Sequence, residues 1–223
     1  MARRLMFAVH KVAGLLLCAV PWGAAQALID INPKVVEMKD EQSVVRVINT
    51  GNTPEFVEIK LSLVGNPGVP PEEEQRTPLG LIKEPTLYAA PFKLSLGPRQ
   101  EKIVQLHALR QPQTEQVFRL SVIPQQQVNL SGFHNNVILV SLGYNGLVRQ
   151  LPAKHSATWG HRCQESQVRL EATGSVRVEF TELLQDSQSV EDFNVYPGTP
   201  RVIQAKRLSG KVESSAFDVK CDG

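Results

Sequence analysis

The sequence of 223 residues lacks the features that mark several common classes of protein. It has only three cysteines, and helix signals are almost absent. No apolar run reaches the roughly 20 residues that a transmembrane helix needs. Lys and Arg residues do not cluster with aromatic residues, as they would on a nucleic-acid-binding surface. We therefore expect no nucleic-acid partner and no membrane insertion of the mature chain.

The first 27 residues have the composition of a secretory signal peptide. Three basic residues precede an apolar stretch at 12–20, and small residues end the segment at Ala27. A membrane anchor is an alternative, but Pro21 breaks the apolar stretch; a lipid-modified Cys18 is another, but Leu17 precedes it where a small residue is needed. Cleavage removes three of 24 basic residues and none of 22 acidic ones. The mature chain, with 21 basic against 22 acidic residues, is nearly neutral.

Two cysteines remain after cleavage. In an exported protein, Cys163 and Cys221 are expected to form a disulfide. A metal site built from His155, His161 and Cys163 is the alternative, but it has no second cysteine nearby and no helix to present it.

Short alternating or β-branched runs, separated by Gly, Pro, Asn and Asp, dominate the mature chain and predict an all-β protein. Seven strands in about 120 residues match the size of an immunoglobulin-like β-sandwich, which we expect at residues 28–152. The candidate strands are ALIDI with KVVEM, SVVRVIN, EFVEIKLSLV, TLYAAPFKLSL, EKIVQLHAL, QVFRLSVIP and a long one beginning at Asn135.

The segment Gly65–Thr77 is too rich in Pro, Gly and Glu to form a strand. We predict a mobile surface loop whose acidic run, Glu72–Glu74, is solvated. After Pro152 the strand pattern restarts, with LPAKHSATWG as the linker. Residues 153–223 are expected to form a second, smaller β domain, whose limited core the disulfide supports.

The long strand NNVILVSLGYNGLVRQLP, residues 135–152, carries apolar side chains on both faces. Ile138, Val140, Leu142 and Tyr144 alternate with residues that include Val137 and Leu139. Such a strand is either buried on both faces or has one face that awaits a partner. Periodicity alone favours the first interpretation, an ordinary core strand.

Segments along nearly the whole mature chain, taken in order, resemble those of the periplasmic chaperones of bacterial pilus assembly, especially the alternate chaperone–usher branch. VVRVINTGNTPEFVEIKL resembles the second and third strands of that family, APFKLSLGPRQEKIVQL its next proline-containing segment, and VFRLSVIP its sixth strand. ILVSLGYNGLVRQLP resembles the seventh strand and its linker proline, while TGSVRVEF and VYPGTPRVI resemble strands of the second domain.

The resemblance implies that the seventh strand is lent to a pilus subunit whose own immunoglobulin-like fold lacks its last strand, which is donor-strand complementation. Alignment on the linker proline places the donated side chains at Ile138, Val140 and Leu142, followed by Tyr144. The implied partners are pilus subunits and an outer-membrane usher, the implied location is the periplasm, and no cofactor is required.

The resemblance also implies a basic pair that binds the terminal carboxylate of the subunit. Lys34 stands where conventional members have Arg, although lysine lacks the bidentate fork of arginine. The second basic position falls on Leu147 or Gly146, so the nearest cation is Arg149. Arg149 could equally hold the two domains together by pairing with an acidic residue.

Two other classes of function are weaker. No Ser, Cys, His or carboxylate stands in a motif for nucleophilic or acid–base catalysis, so an enzyme is not expected. A secreted pilus subunit or adhesive module would share the β-rich, disulfide-bearing character. A subunit, however, would be one incomplete domain, whereas this chain completes seven strands and then begins another domain.

Overall fold

The structure, a computed structural model, describes residues 28–125 and 143–221. Within these ranges the regular structure is β-strand, apart from one short 3-10 turn at Leu79–Leu81. The predicted signal peptide lies outside the described residues, as do Ile138, Val140 and Leu142. No helix in the described ranges is long and apolar enough to cross a membrane.

The first β domain consists of two sheets that face each other. One has the order β1-β3-β8-β6; the other has the order β2-β10-β9-β4, with β5 and β7 both pairing with β4. The strand bounds are β1 Ile29–Asn32, β2 Val35–Met38, β3 Gln42–Asn49, β4 Glu55–Val64, β5 Arg76–Pro78, β6 Leu87–Ala90, β7 Lys93–Leu96, β8 Glu101–Ala108, β9 Gln116–Pro124 and β10 Tyr144–Gln150.

The second β domain also has two sheets. The smaller has the order β11-β12-β16, and the larger has the order β14-β13-β17-β18, with β15 pairing with β13. The strand bounds are β11 Trp159–Gln164, β12 Gln167–Ala172, β13 Val178–Gln185, β14 Gln188–Ser189, β15 Phe193–Val195, β16 Arg201–Gln204, β17 Arg207–Val212 and β18 Ser215–Lys220. The all-β class, with an immunoglobulin-like sandwich followed by a smaller β domain, is confirmed.

Two predicted strands are each divided at a proline. β1 pairs with β3 in one sheet, whereas β2, after Pro33, pairs with β10 in the other. In the same way β6 pairs with β8, and β7, after Pro91, pairs with β4. Proline has no N–H group to continue a hydrogen-bonded ladder. The chain therefore changes sheets at these points, and the sequence pattern did not reveal the change.

Apolar residues alternate with polar ones along the strands, so every second side chain of a strand points into a hydrophobic core. In the first domain Val45, Val104, Leu106 and Val148 are fully buried between the sheets. The second domain has its own core, which includes Leu170, Phe180 and Leu208. A small third cluster, formed by Val64, Val117 and Tyr196 with Leu147 packed against it, connects the two domains.

The predicted disulfide between Cys163 and Cys221 is present, with 5.3 Å between the Cα atoms. It joins β11 to the residue that follows β18, and Cys221 lies in the second core. Because the Cys163 sulfur is bonded to another cysteine, it is not available for the alternative metal site with His155 and His161.

Candidate functional site

Lys34 lies immediately before β2 and keeps its charge accessible to solvent. Its side chain is 64% exposed, with Nζ 3.9 Å from Asp30 Oδ1 and 5.4 Å from the centroid of the Tyr144 ring. A hydrogen bond to Tyr144 and the charge of Asp30 raise the pKa of Lys34 above its ordinary value. Lys34 is therefore a stable, exposed cation that a carboxylate can approach.

Arg149, on β10, has a guanidinium group that is paired with two carboxylates of the protein itself. Its side chain is only 7% exposed. Nε donates to Glu115 Oε1 at 2.6 Å, Nη2 donates to Glu115 Oε2 at 3.1 Å, and Nη1 donates to Glu37. Burial lowers the pKa of Arg149, but the hydrogen bonds and charge of Glu115 outweigh that effect, so the pKa is raised overall.

Glu115 connects this ion pair to the second domain. Its carboxylate, which is fully buried, also accepts a hydrogen bond from the backbone N–H of Arg177 at 2.8 Å. The backbone N–H of Glu115 donates to the carbonyl of Ser175, also at 2.8 Å. Arg177 and Ser175 both precede β13. Glu115 thus links Arg149 to the residues of the second domain that immediately precede β13.

The two predicted anchor cations share no partner among the described residues. Lys34 contacts Asp30 and Tyr144, whereas Arg149 contacts Glu37 and Glu115. Tyr144, the one predicted donor residue that is described, begins β10 and packs against the first core.

The structure explains why neither candidate for the second basic position holds a cation. A Cβ atom at Gly146 would lie 2.6 Å from Ile31 Cδ1, so any side chain there would require the buried Ile31 side chain to shift. Leu147 packs against the apolar cluster that connects the domains. Directly across the antiparallel ladder from Leu147 stands Arg119, on β9. The basic residue at this level of the sheet therefore comes from the neighbouring strand.

The loop Gly65–Thr77, which we call the cleft loop, is largely exposed, as its composition predicts, but one of its three consecutive acidic side chains is buried. Glu72 and Glu73 are exposed, but the Glu74 side chain is only 3% exposed. Arg119 Nη2 donates to Glu74 Oε1 at 2.5 Å, and Arg119 Nε lies 3.0 Å from both carboxylate oxygens. Arg76 Nε donates to Glu74 Oε2 at 2.8 Å. The prediction of a solvated acidic run was therefore wrong for Glu74, because composition does not show that Arg119, on a strand distant in sequence, pairs with it.

Burial raises the pKa of Glu74, but the hydrogen bonds from Arg119 and Arg76 outweigh it, so the pKa lies below the ordinary value of 4.5. Glu74 is consequently ionised at neutral pH. It holds the cleft loop against the sheet as an ion pair.

The cleft loop also reaches the second domain. Gly68 has a φ of +97°, and a Cβ atom there would lie 2.9 Å from the carbonyl oxygen of Asn194. Arg201 Nη1 donates to the Gly68 carbonyl at 3.1 Å. Only glycine combines this backbone conformation with such a close approach. Gly68 therefore lets the loop rest directly on the second domain.

A cavity of about 430 Å³ lies between the cleft loop, the first domain and the second domain. Its walls are contributed by residues 67–70 and 74 of the loop, by β9 and β10, and by residues 191–201. Arg119, Leu147 and Arg201 all line it. The sequence pattern did not indicate Arg119 or Glu115, nor that Glu74 is buried. The charged Arg119 between apolar residues of β9 was the one signal that could have pointed to a second functional face.

No family model matches this chain, and no curated protein matches it either. The architecture is that of the two-domain fimbrial chaperones, and solved structures of that class match nearly the whole chain. The class 5 fimbriae chaperone CfaA has a TM-score of 0.66 at 17% identity, covering 87% of this chain and 99% of that one.

Two complexes give similar matches. A chain of the chaperone–tip adhesin complex of CFA/I fimbriae has a TM-score of 0.67 at 18% identity, covering 86% and 98%. A chain of the CsuC–CsuE chaperone–tip adhesion subunit complex from the archaic chaperone–usher Csu pili of Acinetobacter baumannii has a TM-score of 0.56 at 15% identity, covering 86% and 97%. At these identities the similarity establishes a shared fold.

Proposed function

We propose that this protein is a periplasmic chaperone that binds pilus subunits by donor-strand complementation and delivers them to an outer-membrane usher. The observation that carries the proposal is the two-domain fold. This fold is shared over almost the full length with a chaperone solved alone and with chains from two chaperone–adhesin complexes. No observation on the described residues favours a pilus subunit or an adhesive module, and each of the two domains has a hydrophobic core of its own.

The proposed donor segment is the part of the predicted long strand that precedes β10. Its donated side chains are Ile138, Val140 and Leu142, with Tyr144 at the start of β10. β10 itself is held between β2, in a parallel pairing, and β9, in an antiparallel one. These pairings support the proposal because they fix the segment that directly follows the donor residues in the sheet of the first domain. Burying three aliphatic side chains in the groove of a subunit contributes roughly 5–8 kcal/mol before ordering costs.

The two predicted anchor cations take different roles in this proposal. Lys34, which is exposed and only loosely paired, binds the terminal carboxylate of the subunit. Arg149 instead fixes the two domains relative to each other through Glu115. Its Nε and Nη2 groups already donate to Glu115 and its Nη1 group to Glu37, so they are not free to bind a carboxylate of the subunit. The boundary between the two domains is proposed to lie at Pro152.

Co-purification from the periplasm tests the proposed function. An affinity-tagged chain that is expressed with the pilus genes of its host should be recovered as an equimolar complex with one pilus subunit. That subunit should be degraded when the chaperone is absent, because its groove is then open. Recovery of the chain alone, with subunit levels unaffected by its deletion, would contradict the proposal.

A further inference from the structure

Gln150, the last residue of β10, is a buried polar side chain that connects the two sheets of the first domain. It is 2% exposed and belongs to the alternate residues of β10, with Gly146 and Val148, that are buried on the core side. Its Oε1 accepts a hydrogen bond from the Thr86 hydroxyl at 2.7 Å. Its Nε2 donates to the carbonyls of Thr86 at 3.1 Å and Arg110 at 2.9 Å. Thr86 immediately precedes β6, and Arg110 follows β8, so these bonds reach from β10 to the opposite sheet.

These hydrogen bonds restrict how β10 can slide along its neighbours. A shift by two residues keeps every side chain on its own face, so the apolar alternation alone does not exclude it. A shift towards the N-terminus would bring Gln150 to the place of the fully buried Val148, where its amide would lose these partners. The opposite shift would bring Val148 against the carbonyls of Thr86 and Arg110. Either shift leaves buried polar groups unpaired, which is costly.

Gly146 opposes the same two shifts by steric contact. A Cβ atom at this position would lie 2.6 Å from Cδ1 of Ile31, whose side chain is buried in the first core. A shift by two residues brings either Val148 or Tyr144 to the place of Gly146. The Ile31 side chain would then have to move within a packed core, where a change of even one methylene is felt. Two positions of β10 therefore hold the same register.

We propose that Gln150 and Gly146 are positioning residues that fix the register of β10, and with it the place of the donor residues relative to Lys34. This inference rests on the proposed function for its consequence. A shift by two residues moves a strand by about 7 Å along its axis. The Lys34 carbonyl accepts a hydrogen bond from the backbone N–H of Leu147 at 2.9 Å, so Lys34 lies directly beside β10. A subunit that binds Lys34 and the donated side chains together requires a constant spacing between them.

Disulfide trapping in the full mature chain reports the register without a pilus subunit. Asn145 and Ser121 are directly opposite in the β9–β10 ladder, so Asn145→Cys with Ser121→Cys should cross-link in the register of the structure. Asn145→Cys with Ile123→Cys reports a shift by two residues towards the N-terminus of β10. In the register of the structure these two positions are diagonal neighbours about 7–8 Å apart, too far for an unstrained disulfide. The two native cysteines are already bonded to each other.

Gln150→Met, an apolar side chain of similar length, is introduced into both cysteine pairs. We expect it to raise the yield of the shifted cross-link, measured by mass spectrometry after mild oxidation, about tenfold or more, because the hydrogen bonds of Gln150 no longer oppose the shift. Val148→Ala is the matched control. It removes buried apolar contacts from the same strand but keeps Gln150, so it should lower the melting temperature without raising the shifted cross-link.

An unchanged yield of the shifted cross-link with Gln150→Met, or an equal rise with Val148→Ala, would overturn the inference. Failure of both Gln150→Met and Gln150→Leu to fold would also overturn it, because a strand shifted by two residues keeps its apolar face towards the core. Gln150→Met should also recover less pilus subunit than Val148→Ala does, and equal recovery would contradict the consequence for client binding. If the wild type still co-purifies with a subunit, each of these results leaves the proposed function standing.

Discussion

At the scale of single residues, Lys34, Arg149 and Arg119 carry the same charge but differ in how much of it a ligand can use. Lys34 is exposed, Arg149 is saturated by two carboxylates, and Arg119 is held by one carboxylate from a loop. The environment of each cation therefore distinguishes an exposed charge, a buried charge shared by two carboxylates and a charge paired with a loop carboxylate.

Lys34→Ala should lower recovery of a pilus subunit by about tenfold or more, the effect of losing a charge-assisted hydrogen bond of roughly 1.5–3 kcal/mol. Stability should be almost unchanged because the side chain is exposed. Lys39→Ala is the matched control, since its side chain is 59% exposed and also near one carboxylate. Normal recovery with Lys34→Ala would contradict the anchor role.

Glu115→Gln should destabilise the protein by about 3–5 kcal/mol, because it leaves Arg149 buried with only the half-exposed Glu37 as its acidic partner. Urea unfolding of the variant measures the loss. Glu84→Gln is the control, because its carboxylate forms an exposed ion pair with Arg110. Equal stability of the two variants would show that the Glu115 pair does not hold the domains together.

The sequence indicated Lys34 and Arg149 as cations of interest but could not indicate what neutralises them. Glu115 lies 34 positions from Arg149, and Glu74 lies 45 positions from Arg119. These pairs exist only because β9 and β10 are neighbours and because the cleft loop folds back. Neither fact follows from local composition, which treats Glu74 as one of three solvated acids.

At the scale of elements, the period of two in the sequence located most strands, because each half-buried strand alternates apolar and polar residues. The changes of sheet at Pro33 and Pro91 were missed because the residues on either side of each proline were treated as one strand. The buried positions in fact shift from odd to even residue numbers across both prolines. The cleft loop was predicted to contain no strand, which is right up to Gln75 and wrong for Arg76 and Thr77, which begin β5. The contacts that hold the loop in place were missed. The loop is held by the ion pairs of Glu74 and by the close approach at Gly68, and not by apolar side chains that a sequence pattern would show.

The ion pair of Glu74 predicts a specific pH dependence of stability. Its pKa is lower in the folded protein than the ordinary value of 4.5, so its stabilising contribution is complete above pH 4.5 and is lost as the pH falls through the folded pKa. Thermal melts of wild type and Glu74→Gln between about pH 7 and about pH 3 measure this. The difference in melting temperature should be constant above 4.5 and shrink below it. A difference independent of pH would contradict the assignment.

At the scale of the whole molecule, the described residues bring the two domains together at the chain connection, at the Glu115 hydrogen bonds, at the cleft loop and at an apolar cluster. The small apolar cluster around Tyr196 lies between them. Multiple polar contacts of this kind specify one arrangement of the domains. The fold class of both domains was predictable from the strand pattern, whereas the contacts between them were not.

Loss of the disulfide should weaken the second domain more than it weakens client binding. The bond closes a loop of 58 positions, and its removal should cost about 2–5 kcal/mol. The double variant Cys163→Ser, Cys221→Ser should therefore unfold at lower urea concentration, yet recover a pilus subunit at low temperature. Finding both cysteines as free thiols in the exported wild type, by mass spectrometry, would contradict the pairing.

The central claim is that the chain lends a strand to a pilus subunit, and a pair of charge substitutions tests it most directly. Val140→Asp and Leu139→Asp place the same charge at adjacent positions of the proposed donor strand, which face opposite sides. We expect Val140→Asp to melt like the wild type and to recover no subunit, because the charge would enter the apolar groove of the subunit unpaired at a cost of several kcal/mol. Leu139→Asp should unfold the first domain. If Val140→Asp unfolds the isolated protein as severely as Leu139→Asp does, the strand is an ordinary core strand and the claim is wrong.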